Sequence, residues 1–445
     1  MPLSRIRTVR IRDNGIGVPG VDFERRLTAF GASSKRGTDA RGFRGVGRLA
    51  GIGYCQELVL RSRYAGESDV NEMRWDCRKV KAALRADDRL TLEEVVNGCV
   101  QVRSVRGPSF PEHFFEVELR GLIRHRNDNL LNPIAIYDYL SQVAPVPFAP
   151  DFKLRDQIME LLGNVMTLGE LTIKITGIEG PVYRPHRDRL SAPQFKAEIV
   201  FTDVEPVKVP SADGGQAGIG WILHHEYKGA LPFPQLRGLR LRAGNIQVGG
   251  NDLMQQFFPE TRFNSWAVGE IHTIDRRIVP NGRRDHFEQN VHFDNLVNHI
   301  SVVARNIGSR CRTSSSQRNW TRKFEHHRDR VESRITALQQ GAVGQSGMRL
   351  LEAEIGCDIA EMHKIAAKES LPPQLRSGLS HQVNALTKRI SRFTRVPKVS
   401  KSLQRLSSVK KHVYEHAFSL IYRNLGDQAQ AHRLIEAMLL DISKC

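Results

Sequence analysis

The spacing of apolar residues changes character once along this chain, and that change limits what it can fold into. Before residue 310 the apolar positions fall in short alternating runs: Thr8-Val9-Arg10-Ile11-Arg12, Glu57-Leu58-Val59-Leu60-Arg61-Ser62-Arg63 and Phe115-Glu116-Val117-Glu118-Leu119. A period of two is the mark of half-buried strands. Further strand-like runs cover Leu171 to Ile175, Ala197 to Phe201 and Leu239 to Val248, with a helix-like stretch from Ile134 to Val143. After Ser314-Ser315-Ser316 the texture becomes helical: Phe324, Val331 and Leu338 recur at heptad spacing with Ile335 beside them. Gly341 to Gly347 interrupts this stripe, and a second segment aligns Leu351, Ile355, Ile359 and Met362 before Pro372-Pro373 stops it. A third segment runs to about Arg395, a fourth follows Pro397, and the last carries Leu434, Ile435, Met438 and Ile442. The expectation is an α+β fold followed by an all-helical region.

At 445 residues the chain exceeds what one compact core supports, and domains are expected at 1–124, 125–312 and 313–445. Nothing approaches the roughly 18 uninterrupted apolar residues of a membrane span, so no membrane is expected as a partner. The six cysteines (Cys55, Cys77, Cys99, Cys311, Cys357, Cys445) form no C-x-x-C pair. Neither disulfides nor structural zinc is expected, and a cytoplasmic location fits. A net charge of +18 points to a polyanion, through counterion release from a phosphate backbone, although excess arginine also serves solubility.

The strand Thr8–Arg12 runs directly into Asp13-Asn14-Gly15-Ile16-Gly17. An ionised carboxylate can only accept, so a buried aspartate is an apt reader of the exocyclic amine of adenine, and Asp13 is the candidate. Gly15 and Gly17 let a backbone approach a base plane and tolerate positive φ. Phe23, Leu27 and Phe30 then mark an amphipathic helix closed by Gly31. Glycines at 42, 45 and 47, ahead of an apolar segment, have the composition of a loop that offers amides to phosphates at a helix N-terminus.

The segment Gly42-Phe43-Arg44-Gly45, with Ser33-Ser34-Lys35 upstream and Leu60-Arg61-Ser62-Arg63 downstream, resembles MutL proteins in order and spacing, while Gly45-Val46-Gly47 matches the heat-shock chaperone variant. The chain thus resembles the GHKL ATPases, the superfamily of gyrase B, ninety-kilodalton heat-shock chaperones, histidine kinases and MutL. The resemblance implies a GHKL (Bergerat-type) α/β sandwich, an α+β transducer domain and a helical C-terminal region. It assigns ATP to Asp13, Gly15, Gly17, Ser33, Ser34, Lys35, Gly42, Phe43, Arg44, Gly45, Val46 and Gly47, with Ser33 to Arg36 in a lid that closes over the nucleotide.

GHKL members carry a helix ahead of the aspartate motif with a magnesium-binding Asn and, in these branches, a catalytic Glu. The twelve residues before Asp13 contain neither. Truncation at the start is the expectation, a degenerate pocket the alternative, and Mg2+ is implied only with that helix present. At the closing strand, His113-Phe114 stands where relatives carry Gly-Thr. Downstream, Pro280-Asn281-Gly282-Arg283-Arg284-Asp285 resembles the chaperone middle-domain loop that reaches the γ-phosphate, which implies that role for Asn281 and Arg284.

Lys388, Arg392 and Arg395 share a helical face, and Lys398 and Lys401 extend the basic run, so nucleic acid is a candidate partner there. Two readings follow: an ATP-driven machine of the chaperone or MutL kind, which leaves room for a homodimer, or a non-catalytic DNA/RNA-binding protein with a degenerate nucleotide pocket.

Overall fold

The computed structural model describes residues 8–29, 47–85, 90–106, 109–123, 129–192, 197–394, 399–425 and 427–444. The chain divides into two compact units: Met1–His225 with Ala230–Asn306, and Glu226–Gly229 with Ile307–Cys445.

The first unit opens with an antiparallel sheet of five strands, β1 (Thr8–Asp13), β2 (Glu57–Arg63), β3 (Val70–Asp76), β4 (Val100–Val105) and β5 (Phe114–Arg120), in the order β1-β5-β2-β3-β4. Alternation sorts its two faces. Leu58, Leu60, Met73, Trp75 and Leu119 pack with Phe23 and Leu27 of α1 (Gly20–Thr28) and with Cys77 and Val80 of α2 (Cys77–Ala83). Helix α3 (Leu92–Cys99) is closed at its start by a capping box between Thr91 and Glu94.

The opposite face carries a row of alternating charge across all five strands. Arg12, Glu116, Arg61, Glu72 and Arg103 are consecutive cross-strand partners. Arg12 donates to Glu116 at 2.8 Å, Arg61 to Glu116 at 2.7 Å and to Glu72 at 2.6 Å, and Arg103 to Glu72 at 2.6 Å. Burial alone would raise the carboxyls of Glu72 and Glu118, but their arginine partners hold both down to about 2.

Next come α4 (Pro133–Val143), α5 (Arg155–Gly163) and the hairpin β6 (Arg189–Ala192) with β7 (Ala197–Val200). A second five-stranded sheet follows: β8 (Asp203–Ser211), β9 (Gly215–His224), β10 (Gly238–Ala243), β11 (Ile246–Val248) and β12 (Val268–Thr273), ordered β11-β10-β12-β9-β8 with β10 and β12 parallel. Gly244 and Asn245, at φ +58° and +61°, form the tight turn between β10 and β11. No strand forms at Leu171–Ile175, where a lone bridge joins Lys174 to Pro181.

Helix α6 (Val291–Gln340) begins well before Ser314–Ser316, so the serine run lies inside a helix rather than ahead of one. In the second unit it is joined by α7 (Gln345–Ala366), α8 (Pro373–Thr394), α9 (Lys401–Gln404), α10 (Ser408–Asn424) and α11 (Gln428–Lys444). The expected stripe is its core: Phe324, Val331 and Ile335 pack with Ile355, Met362, Leu379, Val383 and Leu386. A second cluster gathers Val343, Leu403, Phe418, Tyr422 and Ile435. Among the described residues no helix is long and apolar enough to cross a membrane.

Candidate functional site

Asp13 ends β1, an edge strand, and shares its sheet face with Val9 and Ile11, because their partners on β5 are Phe115, Leu119 and Val117. It is exposed, not buried as the adenine argument assumed. Its Oδ1 accepts the Gly15 amide at 2.9 Å, a turn closed by the side chain's own neighbourhood, and the carboxylate keeps further lone pairs for another donor. Ile11 and Ile16 beside it are 62 % and 66 % exposed. An acceptor flanked by uncovered apolar side chains suits a flat ligand that carries an amine.

The loop after Asp13 is pinned by residues that sequence reasoning passed over. Ser62 sits on the apolar phase of β2 with Leu58 and Leu60; its hydroxyl donates to the Phe114 carbonyl at 3.0 Å and accepts the Val18 amide at 2.8 Å. His113 Nδ1 lies 2.9 Å from the Gly15 carbonyl, which gives the unexpected His113-Phe114 step a role. Glu67 accepts the Gly20 amide at 3.1 Å at the start of α1. Gly17, at φ +79°, is required for a local reason: a Cβ there would fall 2.1 Å from the Arg63 carbonyl oxygen. The glycine therefore serves the approach of two chain segments. A polar residue in the apolar phase of a strand, as at Ser62, is the signal that could have found this support.

Ser33, Ser34, Lys35, Gly42, Phe43, Arg44, Gly45 and Val46 lie outside the described residues, as do Phe30 and Gly31. Gly47 opens a 3-10 helix, Gly47–Gly53, where an α-helix start was expected; three glycines in seven residues disfavour the longer helical form. Behind it Cys55 and Cys77 bring their sulfurs to 3.7 Å.

Asn281 and Arg284 are built together on a separate turn. The Arg284 amide donates to the Asn281 carbonyl at 3.1 Å, Asn281 donates to Asp285 at 2.5 Å, and Pro280 bridges Phe287. Arg284 holds φ +58°, a conformation that costs a non-glycine residue about 1 kcal/mol or more. Lys388 and Lys401 are exposed, whereas Arg395, Lys398 and the side chain of Arg392 lie outside the described residues. An open cavity of about 510 Å³ on α6 is lined by Ser315, Ser316, Arg318, Asn319 and Arg322, none of them a site candidate from sequence.

No group of three or more His, Cys, Asp or Glu suited to a metal occurs among the described residues. Magnesium asks for several oxygen ligands in octahedral array, and Asp13 alone does not supply them.

Residues 3–99 match the model of a family described as histidine kinase-, DNA gyrase B- and HSP90-like ATPases. No curated protein sequence matches the chain. Among solved structures, the ATPase region of Saccharomyces cerevisiae topoisomerase II is similar at 10 % identity and a TM-score of 0.35, over 68 % of this chain and 75 % of that one. The ATPase domain of Aquifex aeolicus MutL, in a single-substitution form, gives 12 % identity and 0.27 over 67 % and 87 %. The ATPase and transducer domains of Balamuthia mandrillaris DNA topoisomerase II give 10 % and 0.35 over 70 % and 77 %. The fold is mixed α/β with a helical region at its end, and the family match falls on the region at its start.

Proposed function

We propose that the chain binds ATP at the end of β1, with Asp13 accepting the adenine amine and Ile11 and Ile16 facing the base. The observation that carries the reading is an exposed carboxylate on the helix-covered face of the sheet, inside the stretch that matches the ATPase family. In the finer form of this proposal Ser33, Ser34 and Lys35 belong to a closing lid, and Gly42 to Gly47 offer amides to the phosphates. Asn281 and Arg284 then meet the γ-phosphate when the domains close, as in chaperone or MutL-like machines.

Asp13→Asn is a clean probe. The amide oxygen can still accept from Gly15, so the turn survives, while an NH2 replaces the second acceptor and meets the adenine amine donor to donor. Calorimetry should show ATP binding weakened by about 1–3 kcal/mol, the cost of a lost hydrogen bond to a charged group. Equal affinity in both proteins removes Asp13 from the site, and no binding by the unaltered chain removes the reading.

A second reading, a non-catalytic DNA- or RNA-binding protein, is favoured by where the charge lies. Residues 307–445 hold 24 of the 66 basic residues against 12 of the 48 acidic ones, hence +12 of the +18. Oligonucleotide affinity that falls steeply between about 50 and 200 mM salt supports it, and no binding at the lower salt refutes it.

A further inference from the structure

The core of the second sheet contains charges that the nucleotide reading leaves unused. Arg240 and Arg242 lie two residues apart on one face of β10; Glu270 and His272 are their partners on β12, and Trp221 is the partner of Glu270 on β9. Arg184 reaches the same place from the segment that covers the sheet. All are buried: Arg184 and His272 at 0 %, Arg242 and Glu270 at 1 % and Arg240 at 3 % exposure.

Three guanidinium groups meet one buried carboxylate. Glu270 pairs with Arg184 and, at 2.7 Å, with Arg242. Arg240 bonds to neutral oxygens: Gln247 Oε1 at 2.9 Å, Gln142 Oε1 at 3.1 Å and the Pro234 carbonyl at 3.2 Å. Burial pushes the imidazoles of His186 and His272 down to about 3 and about 4, so neither adds charge near neutral pH. Glu170, exposed, attracts Arg184 only from outside. The cluster is left with an excess of two positive charges in a dry place, where an uncompensated charge costs several kcal/mol.

The same cluster has buried polar atoms with no partner, the guanidinium Nε–H groups foremost. Nε of Arg240, Nε of Arg242 and Nε1 of Trp221 are buried donors without a hydrogen-bond partner among the described residues. Also without one are Nδ1 of His186, both ring nitrogens of His272, one of which carries the proton of the neutral ring, and, its ion pair with Arg242 aside, the acceptor Oε1 of Glu270. Interiors rarely leave such atoms unsatisfied unless a bound water or ion completes them. Water would satisfy the donors and leave the charge. An anion does both.

We propose that this core binds a small inorganic anion of the halide or oxoanion class, held between the Nε–H groups of Arg240 and Arg242 beside His272. The site stabilises the second sheet independently of any nucleotide.

The test uses the full chain, exchanged into sodium gluconate, whose anion is too large for the core. Thermal unfolding is followed while chloride, bromide, sulfate or phosphate replaces gluconate at constant ionic strength. The midpoint should rise and saturate with at least one of them, as binding to the folded state alone requires. Salt effects of the exclusion kind rise without saturating. Arg240→Gln should weaken the apparent anion affinity at least tenfold. Indistinguishable midpoints in all the anions, or an unchanged response in the variant, overturn the proposal. Should the variant not fold, bromide-soaked crystals of the unaltered chain decide: an anomalous peak between Arg240 and Arg242 supports the site, and peaks only elsewhere mean an adventitious ion only and overturn it.

Discussion

Acidification should unfold the first unit through two imidazoles. His186 packs among Phe148, Phe152 and Trp221, with its ring centroid 5.1 Å from that of Trp221, and His272 lies beside Glu270 on β12. Burial, opposed by Glu270 and reinforced by the neighbouring arginines, pushes His186 to about 3 and His272 to about 4, from an ordinary 6.5. Between those values and 6.5 the unfolded chain takes up protons that the folded chain refuses, so stability is full above 6.5 and falls as the pH drops below it. Each imidazole contributes about 1.4 kcal/mol per pH unit in that window, hence about 2 kcal/mol at pH 5 and about 4 for the pair. That is a large part of the roughly 5–15 kcal/mol that holds a domain folded. Glu270, which burial would raise but Arg184 and Arg242 hold well below the carboxylate range, adds little above pH 5. Urea unfolding monitored by tryptophan fluorescence at pH 7.5, 6.5, 5.5 and 5.0 measures the loss. His186→Phe, which suits the aromatic surroundings, should halve the slope. A flat profile from 6.5 to 5, or an undiminished slope in the variant, would refute the reasoning.

Gly17→Ala should cost more than about 2 kcal/mol, because it combines φ +79° with a 2.1 Å approach to the Arg63 carbonyl, whereas Gly47→Ala, which meets nothing within 4 Å, should stay within about 0.5 kcal/mol; similar melting points for the two contradict the loop geometry. Arg61→Met leaves Glu72, Glu116 and Glu118 buried without their shared cation and should cost about 3–5 kcal/mol by urea titration; a loss under about 1 kcal/mol would show that the row is not held by Arg61. Arg284→Gly keeps the left-handed turn and removes the guanidinium, so it should preserve the melting point while reducing the preference for ATP over ADP about tenfold, a loss of about 1.4 kcal/mol within the range of a charged hydrogen bond. Arg283→Ala should change neither the melting point nor the selectivity, and equal nucleotide selectivity in all three proteins makes the loop an ordinary basic turn.

Local patterning was readable where one element carried the whole signal. Alternation places β2 at Glu57–Arg63, and the stripe of Phe324, Val331 and Ile335 lies in the helical core. The pattern failed where burial depends on distant chain. The strand-like run Leu239-Arg240-Leu241-Arg242 gives no sign that its arginines are buried, which they are: distant Gln142 and Ala144 supply part of the oxygens they bond, and Pro234, Asn245 and Gln247 the rest. The strand-like run at Leu171–Ile175 had the composition but found no ladder to join. At the candidate site Asp13 and Gly17 were legible as residues, but not their supports. Ser62 and His113 act through backbone atoms 44 to 98 residues away in sequence, which no local period records.

The charged row across the first sheet also decides which alignment of its strands can exist. A slip of one residue would turn the row into the helix-covered face. A slip of two is no easier: sliding β3 along β2 sets Arg61 opposite Arg74 in one direction and opposite Val70 in the other, and sliding β1 along β5 sets Arg10 opposite Arg120 or Arg12 opposite Phe114. One register neutralises every member, so mispaired hairpins are penalised before the helices dock. The row also ends in arginine on both edge strands, Arg12 on β1 and Arg103 on β4. Two copies that met edge to edge would bring like charges together, and the open strands are guarded against that growth by the same residues that set their alignment.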